Sequence, residues 1–339
     1  MVSLHASQKS STLTSGLRSI NLRTDLSPLA DLIELSFADS MDSSGRAAIR
    51  EMRTLSNLGL GLNLLARVNE LAQGISTGYV WVQDGRLVGN VSVYQTNWPK
   101  DLGKTWIIAN VAVHPNYRQR GIATQLMEAA LQMIRQQHGA QAVLQVDADN
   151  AHALHLYEQL GFVTERTWTT WRRGRGTRSP VILLYDEAEI PPIKPRRSSA
   201  WAAEYEMAKR LRPADQGGLG WLRPLHPHLF QPPLQKRLLN WLTLQSMERL
   251  VIHNEGKLGA SLWIERQLGA SNVQLTLMVE PLYQGQYDEA LLDAAIHRYG
   301  LTENLLIEHP ADDEDAALIF RRLRFESRRT LTHMRWVAP

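Results

Sequence analysis

Apolar and polar residues alternate through YVWVQDGRLVGNVSVY, Tyr79–Tyr94, on both sides of an Asp84-Gly85 pair, and this pattern predicts an antiparallel hairpin. Further strands are predicted over SINLR from Ser19, over Trp106–Val113 and over Ala142–Val146. Leu29, Leu32, Ile33, Leu35 and Phe37 keep helical spacing behind the caps Asp25 and Ser27, with Pro28 suited to a first helical position. Residues 41–73 read as a second, largely helical section. A third helix follows the loop at His114 and runs to about Gln137, and a fourth covers Ala151–Gln159 before Gly161. TERTWTTWRR and SPVILLYD then form a final strand pair, so the order through residue 186 is β-α-α-β-β-β-α-β-α-β-β.

Beyond a Pro- and charge-rich linker at 187–199 the same order returns. NEGKLGASLWI resembles QDGRLVGNVSV, LMVEPLYQGQYDEALLDAAI resembles VAVHPNYRQRGIATQLMEAAL, and IFRRLRFESRRTLTHMRW resembles LYEQLGFVTERTWTTWRR. Pro281 lies 166 residues after Pro115 and Phe325 lies 163 after Phe162, a nearly constant offset that indicates a tandem duplication.

Composition narrows the chemistry. The 339 residues, 44% of them apolar, can fill two cores. A net charge of only +3 does not point to nucleic acid, which is disfavoured as a partner. With no cysteine, thiolate nucleophiles, disulfides and Cys-ligated zinc are excluded. Residues 1–17 are Ser/Thr-rich without an apolar h-region and read as a flexible leader. LGLGLNLLARVNELA, Leu58–Ala72, is broken by Asn63, Arg67, Asn69 and Glu70; it falls short of the roughly 20 apolar residues that span a bilayer. A cytoplasmic protein without a membrane span is expected by elimination.

The loop HPNYRQRGIAT carries the clearest chemistry. It joins a strand to a helix N-terminus, where first-turn amides are unpaired and the helix dipole is positive. Gly121 and Ala123 let a phosphate approach the backbone, Arg118 and Arg120 add charge, and Thr124 adds a hydroxyl. The loop suits a pyrophosphate, although it matches neither a Walker A nor a Rossmann fingerprint. A second block, LQVDADNAHALHLYEQLGF, Leu144–Phe162, places Asn150 seven residues before Tyr157 and ends in Leu-Gly-Phe.

With these two blocks the chain resembles the GNAT superfamily of N-acetyltransferases over about residues 18–186. The second block is similar to the end of bacterial enzymes that acetylate ribosomal-protein N-termini. The resemblance implies an α/β fold (α+β mixed sheet) of two tandem GNAT-like lobes, each a mostly antiparallel mixed sheet flanked by helices. Residues 18–186 are then the catalytic domain and 200–339 a degenerate one. It further implies acetyl-CoA as cosubstrate, with direct attack of an amine on the thioester. Val111, Ala112 and Val113 would hold the pantetheine arm, and Arg118, Gln119, Arg120, Gly121, Ile122, Ala123 and Thr124 the pyrophosphate. Asn150 would bind the cofactor arm or cap its helix, and Tyr157 would hydrogen-bond the leaving thiolate. An oxyanion-directed amide on the Val111–Val113 strand would contribute roughly 3 to 4 kcal/mol.

One position departs from the subgroup. Where a glutamate base is common, this chain has Gln145, whose amide cannot accept a proton. Asp147, Asp149, Glu34 and Asp39 are the alternatives on neighbouring elements. Without a strong base the site should prefer a weakly basic α-amine over a lysine, which needs about 4.6 kcal/mol to deprotonate at pH 7. The acceptor is thus expected to be an amine, either a protein N-terminus or a small molecule. Residues 41–73 and 167–178, the latter holding Trp168, Trp171 and RRGRGTR, are expected to wall it.

In the second half Gln284-Gly285-Gln286-Tyr287-Asp288 replaces the loop, with Tyr287 at the place of Gly121, Phe320 at Tyr157, Asp313 near Asn150 and Arg324 at Gly161. That lobe should have lost cofactor binding. His152 and His155 lack calcium-loop context beside Asp147 and Asp149, and no metal is expected. The alternatives are a catalytically silent acyl-CoA-binding regulatory module and an RNA-associated protein using RRGRGTR. A monomer or homodimer is expected.

Overall fold

The computed structural model describes residues 15–38, 41, 43–56, 77–178, 190–233, 245–267 and 271–339. The chain forms two compact units, Met1–Leu144 with Glu158–Phe162 and Arg335–Pro339, and Gln145–Tyr157 with Val163–Met334.

The first unit contains β1 (Gly16–Ser19), α1 (Leu22–Phe37), α2 (Ser43–Ser56), β2 (Gly78–Gln83), β3 (Arg86–Gln95), β4 (Thr105–Val113), α3 (Ile122–Gln136) and the start of β5 (Gln141–Asp147). Its strand order is β1-β2-β3-β4-β5, antiparallel except for the parallel β4–β5 pair. The hairpin turns at Asp84 and Gly85, both at positive φ. Leu26, Leu29, Ala30 and Ile33 of α1 pack on Ile49 and Met52 of α2.

Two expectations shift here. The first strand is Gly16–Ser19 rather than SINLR, and α1 begins at Leu22, which puts Pro28 inside the helix. The cause is Asp25. Its carboxylate pairs with Arg18 at 2.6 Å and accepts the Asn21 amide at 2.7 Å, while Asn21 itself caps the helix. Of the expected helical section 41–73, Ser43–Ser56 is helix and residues 57–73 lie outside the described residues. SPVILLYD lies outside them as well.

The second unit continues with the end of β5, α4 (Ala151–Gln159), β6 (Val163–Arg173), β7 (Lys194–Pro195), α5 (Trp201–Leu211), α6 (Pro227–Phe230), β8 (Gln245–Asn254), β9 (Lys257–Gln267), β10 (Asn272–Val279), α7 (Tyr287–Tyr299), β11 (Asn304–Pro310), α8 (Glu314–Arg322) and most of β12 (Glu326–Val337). Its strand order is β12-β6-β11-β10-β9-β8-β7. Strands β8, β9 and β10 are antiparallel and β10–β11 is parallel, which repeats the β2-β3-β4-β5 pairing of the first unit. The duplication is therefore visible in the pairing as well as in the sequence.

The expected pairing of TERTWTTWRR with the segment after it is corrected: β6 runs antiparallel to β11 of the second repeat. Its side chains explain why. Trp171 joins the core of Leu275, Leu305 and Phe320, and buried Arg173 donates to the carbonyls of Leu323 and Thr177. The hydroxyls of Thr167 and Thr169 bond those of Thr332 and Thr330 on β12. Among the described residues no helix is long and apolar enough to cross a membrane.

Candidate active site

Strand β4 does not run straight into the loop that follows it. Its register against β3 passes from Ala109↔Ser92 to Ala112↔Asn90, so Asn110 and Val111 stand opposite one residue of β3. Asn110 takes a positive φ of 52°. Buried Asn90 donates to the Asn110 carbonyl at 2.9 Å, and the Asn110 amide reaches Ser92 Oγ at 3.3 Å, which fixes the bulge. The parallel register with β5 covers Thr105–Ile107 only, so Val111, Ala112 and Val113 lie past it, at the bulge.

The loop then winds through Pro115–Tyr117 and places Gln119 at φ 61° and Gly121 at φ 73° before α3 begins. The first helical bond is from the Gln125 amide to the Gly121 carbonyl, so the amides of Ile122, Ala123 and Thr124 point off the helix end. Arg118, Gln119, Arg120 and Gly121 are exposed, and Ile122 is buried as the loop's anchor in the core. A Cβ on Gly121 would meet nothing nearer than Gln125 Nε2 at 3.9 Å, so an anion can come up to the backbone there. Arg118 donates to the Val113 carbonyl at 3.2 Å and Arg120 stacks on Tyr117. Both guanidiniums are thus held over the loop.

The remaining expected residues belong to the second unit. Asn150 caps α4, its Oδ1 accepting the Ala153 amide at 3.1 Å. Tyr157 is 6% exposed, and burial pushes its phenol up to about 12. Gln145 Nε2 lies 2.8 Å from His333 Nε2 on β12. His333 is buried, stacks on Trp168, meets the edge of Trp221 and has Glu308 Oε1 3.5 Å away. Glu308 is itself held by the Trp221 amide at 3.1 Å. His333 was missed because nothing in the sequence says that β12 lies beside the end of β5, where the Ala148 amide donates to the Thr330 carbonyl.

The other base candidates are engaged or lie elsewhere. Asp147 is clamped by Arg329 at 2.8 Å and Glu34 by Arg53 at 2.6 Å; Asp149 is exposed, and Asp39 is outside the described residues. In the basic loop Arg172 bonds Asn304 and Arg173 is buried, so two of its arginines have structural work.

Residues 52–162 match the sequence profile of the Acetyltransferase (GNAT) family. This segment belongs to the GNAT family. The chain is 32% identical over 80 residues to N-alpha-acetyltransferase 30 of Saccharomyces cerevisiae, a match that covers 24% of this chain and 46% of that one. It is 40% identical over 55 residues to N-alpha-acetyltransferase 30 of Schizosaccharomyces pombe, covering 16% of this chain and 37% of that one. The chain therefore spans less than half the length of these relatives. Its fold is similar to a GCN5-related N-acetyltransferase from Sphaerobacter thermophilus, with TM-score 0.55, 17% identity and 95% of each chain covered. It is also similar to a tandem GNAT protein from the clavulanic acid biosynthesis pathway, with TM-score 0.51, 12% identity, and 95% and 99% of the two chains covered. The two-lobed GNAT fold accounts for the repeated strand order.

In the second lobe the equivalent loop is built differently. At the start of α7 the Asp288 carboxylate accepts the amides of Gly285 at 3.1 Å and Glu289 at 2.9 Å. Burial pushes Asp288 up to about 6, against the pull of those amides. Tyr287 stacks on Tyr283 with ring centres 4.5 Å apart, beside Gly259. A carboxylate of the chain itself thus occupies the place that the first lobe leaves open.

Proposed function

We propose that the chain is an acetyl-CoA-dependent N-acetyltransferase whose first lobe, residues 18–186, is active and whose second, residues 200–339, binds no acetyl-CoA. The observation that carries this reading is the open amide cradle of Gln119–Thr124 directly after the β4 bulge. In this reading Arg118–Thr124 take the pyrophosphate, and Val111–Val113 line the pantetheine and aim an amide at the thioester oxygen. The amine nitrogen attacks the thioester carbon, the C–S bond breaks to release thiolate, and the amine proton passes to a base. Tyr157, with its phenol near 12 against a free thiol near 8.5, would need about 5 kcal/mol for full proton transfer. Its part is a hydrogen bond to the thiolate that strengthens as sulfur gains charge. Gln145 cannot take the amine proton, and the His333 imidazole beside it can.

The relatives' names support an α-amine of a protein N-terminus as acceptor, and the lack of a carboxylate at Gln145 agrees with a weakly basic amine. The residues of the cradle fit the proposed cosubstrate, since Gly121 leaves room where a side chain would stand. Calorimetric titration of acetyl-CoA should give one site per chain, and incubation with N-terminal peptides should give acetylated product. Zero sites would overturn the reading, and two would overturn the assignment of the second lobe. His333→Asn should lower turnover about a hundredfold, with Gln145→Glu restoring part of it. Unchanged turnover in His333→Asn would refute the imidazole's role. Gln145 also favours a second reading, a silent acyl-CoA-binding module; binding without turnover on any peptide or small amine would select it.

A further inference from the structure

The second unit holds a cavity of about 620 Å³ at the C-terminal ends of β10 and α5, within the range of small-molecule sites. Its residues Val279, Gln284, Asp288 and Asp313 are the repeat counterparts of Val113, Arg118, Ile122 and Asn150. The cavity therefore stands in the second repeat where the proposed cosubstrate residues stand in the first. Asp288 closes the amide cradle, but it leaves the cavity itself open.

The deep wall is Arg212, 6% exposed. Its Nη2 donates to the Leu277 carbonyl at 3.2 Å and to His309 Nδ1 at 3.3 Å, and its guanidinium lies over Trp168. Among the described residues, Nε and Nη1 have no hydrogen-bond partner and no carboxylate lies within 4.0 Å. His309 is buried, and its Nε2 bonds Asp313 at 2.8 Å; with that proton on Nε2, Nδ1 is left as an acceptor. Arg212 is thus a buried cation whose direct contacts are a neutral ring and a carbonyl; Asp312 and Asp313 lie near enough to act on it, but burial outweighs them and holds it at about 10. A carboxylate bonded directly to the free Nε and Nη1 would offset more of that burial cost.

The other two arginines of the cavity are already matched. Arg166 is bidentate to Asp312 and Arg210 pairs with Glu280. The acids are in excess: Glu314 and Asp315 in the first turn of α8 have no basic partner among the described residues. A phosphate would bring two charges close to Asp288 and Asp313. A single carboxylate at Arg212 with an ammonium toward the α8 acids satisfies both sides.

We propose that this cavity binds a small amino carboxylate, an amino acid or its close analogue, with its carboxylate on Arg212 and its ammonium at Glu314 and Asp315 of α8. The site is separate from the acetyl-CoA residues of the first lobe and does not depend on their activity. The test uses the full chain, titrated by calorimetry with each of the common amino acids, with succinate and putrescine as probes carrying only one of the two groups, and with inorganic phosphate. At least one amino acid should bind at one site per chain with a dissociation constant below about 10 mM, and more tightly than succinate, putrescine or phosphate. Arg212→Lys should weaken that binding about tenfold or more, and the double change Glu314→Gln/Asp315→Asn, made at exposed positions that leave the fold intact, about threefold to tenfold. Tyr157→Phe, at the proposed thiolate position of the first lobe, should not change it. The proposal is overturned if no amino acid binds, if succinate or phosphate binds as tightly, or if binding survives both the Arg212 and the α8 variants.

Discussion

Gly121 and Gly285 form a matched pair for testing where the cosubstrate binds. Both are left-handed, at φ 73° and 87°, and both have open space where a Cβ would stand: Gln125 Nε2 is 3.9 Å from the first position and nothing lies within 4 Å of the second. Replacing either with alanine therefore adds backbone strain without a clash. A non-glycine residue in this conformation costs about 1–2 kcal/mol. At about 2–4 °C per kcal/mol for domains of 150–250 residues, Tm should fall by a similar few degrees in both variants.

The two should part company on acetyl-CoA. The new methyl at position 121 projects into the space where a phosphate would approach the amides of Ile122–Thr124. At position 285 it projects beside a cradle already filled by Asp288. Loss of one charged hydrogen bond, about 1.5–3 kcal/mol, corresponds to roughly ten- to hundredfold weaker binding for Gly121→Ala, against no change for Gly285→Ala. Scanning fluorimetry gives the strain and calorimetry the affinity. If Gly121→Ala keeps the affinity of the unaltered chain, or if Gly285→Ala loses it equally, the cradle is not where pyrophosphate binds.

Three further outcomes follow from buried groups. Tyr157→Phe should lower kcat about ten- to hundredfold with acetyl-CoA affinity nearly kept, and in the unaltered enzyme no descending limb from the phenol should appear below about pH 11, because burial holds it near 12. Asp288 is raised from 3.8 to about 6 and His309 lowered from 6.5 to about 4. The first therefore removes about 3 kcal/mol of stability as pH rises through that window, and the second restores about as much; urea unfolding at pH 4, 5 and 6 should show a steeper rise of stability with pH in Asp288→Asn and a fall in His309→Gln. Glu204, fully buried, holds Arg196 at 3.0 Å and Arg249 at 3.2 Å and accepts Trp263 Nε1 at 2.7 Å, so Glu204→Gln should cost about 3–5 kcal/mol in chemical denaturation, and a loss under 1 kcal/mol would refute the pairing.

Much of this was legible from residue patterns, and two of the failures share one cause. The Asp84-Gly85 hairpin, the helix after Gly121 and the offset repeat are local or periodic signals, and each has its counterpart in the structure. The partner of β6 is not local. TERTWTTWRR and ESRRTLTHMRW carry the same strand pattern, and alternation specifies a face but not a neighbour. Only the fit of Trp171 and Arg173 into the second unit decides it. His333 was hidden for the same reason, since its meeting with Gln145 spans 188 residues of sequence. The start of α1 failed differently: Asp25 looks like a cap in sequence, but an ion pair to Arg18 draws it inside the first turn.

The two lobes answer one physical requirement in opposite ways. A strand that delivers a loop to a helix N-terminus creates amides that lack internal acceptors, and some oxygen must meet them. In the second lobe that oxygen belongs to Asp288, and the cost of burying it appears as a carboxyl held near 6, far above its ordinary range. In the first lobe the corresponding residue is Ile122, which turns into the core and leaves the amides to solvent or to a ligand. An acid at position 122 would therefore be expected to seal the first cradle as Asp288 seals the second. Ile122→Asp should then abolish acetyl-CoA binding, and if it left binding intact the contrast between the lobes would need another explanation.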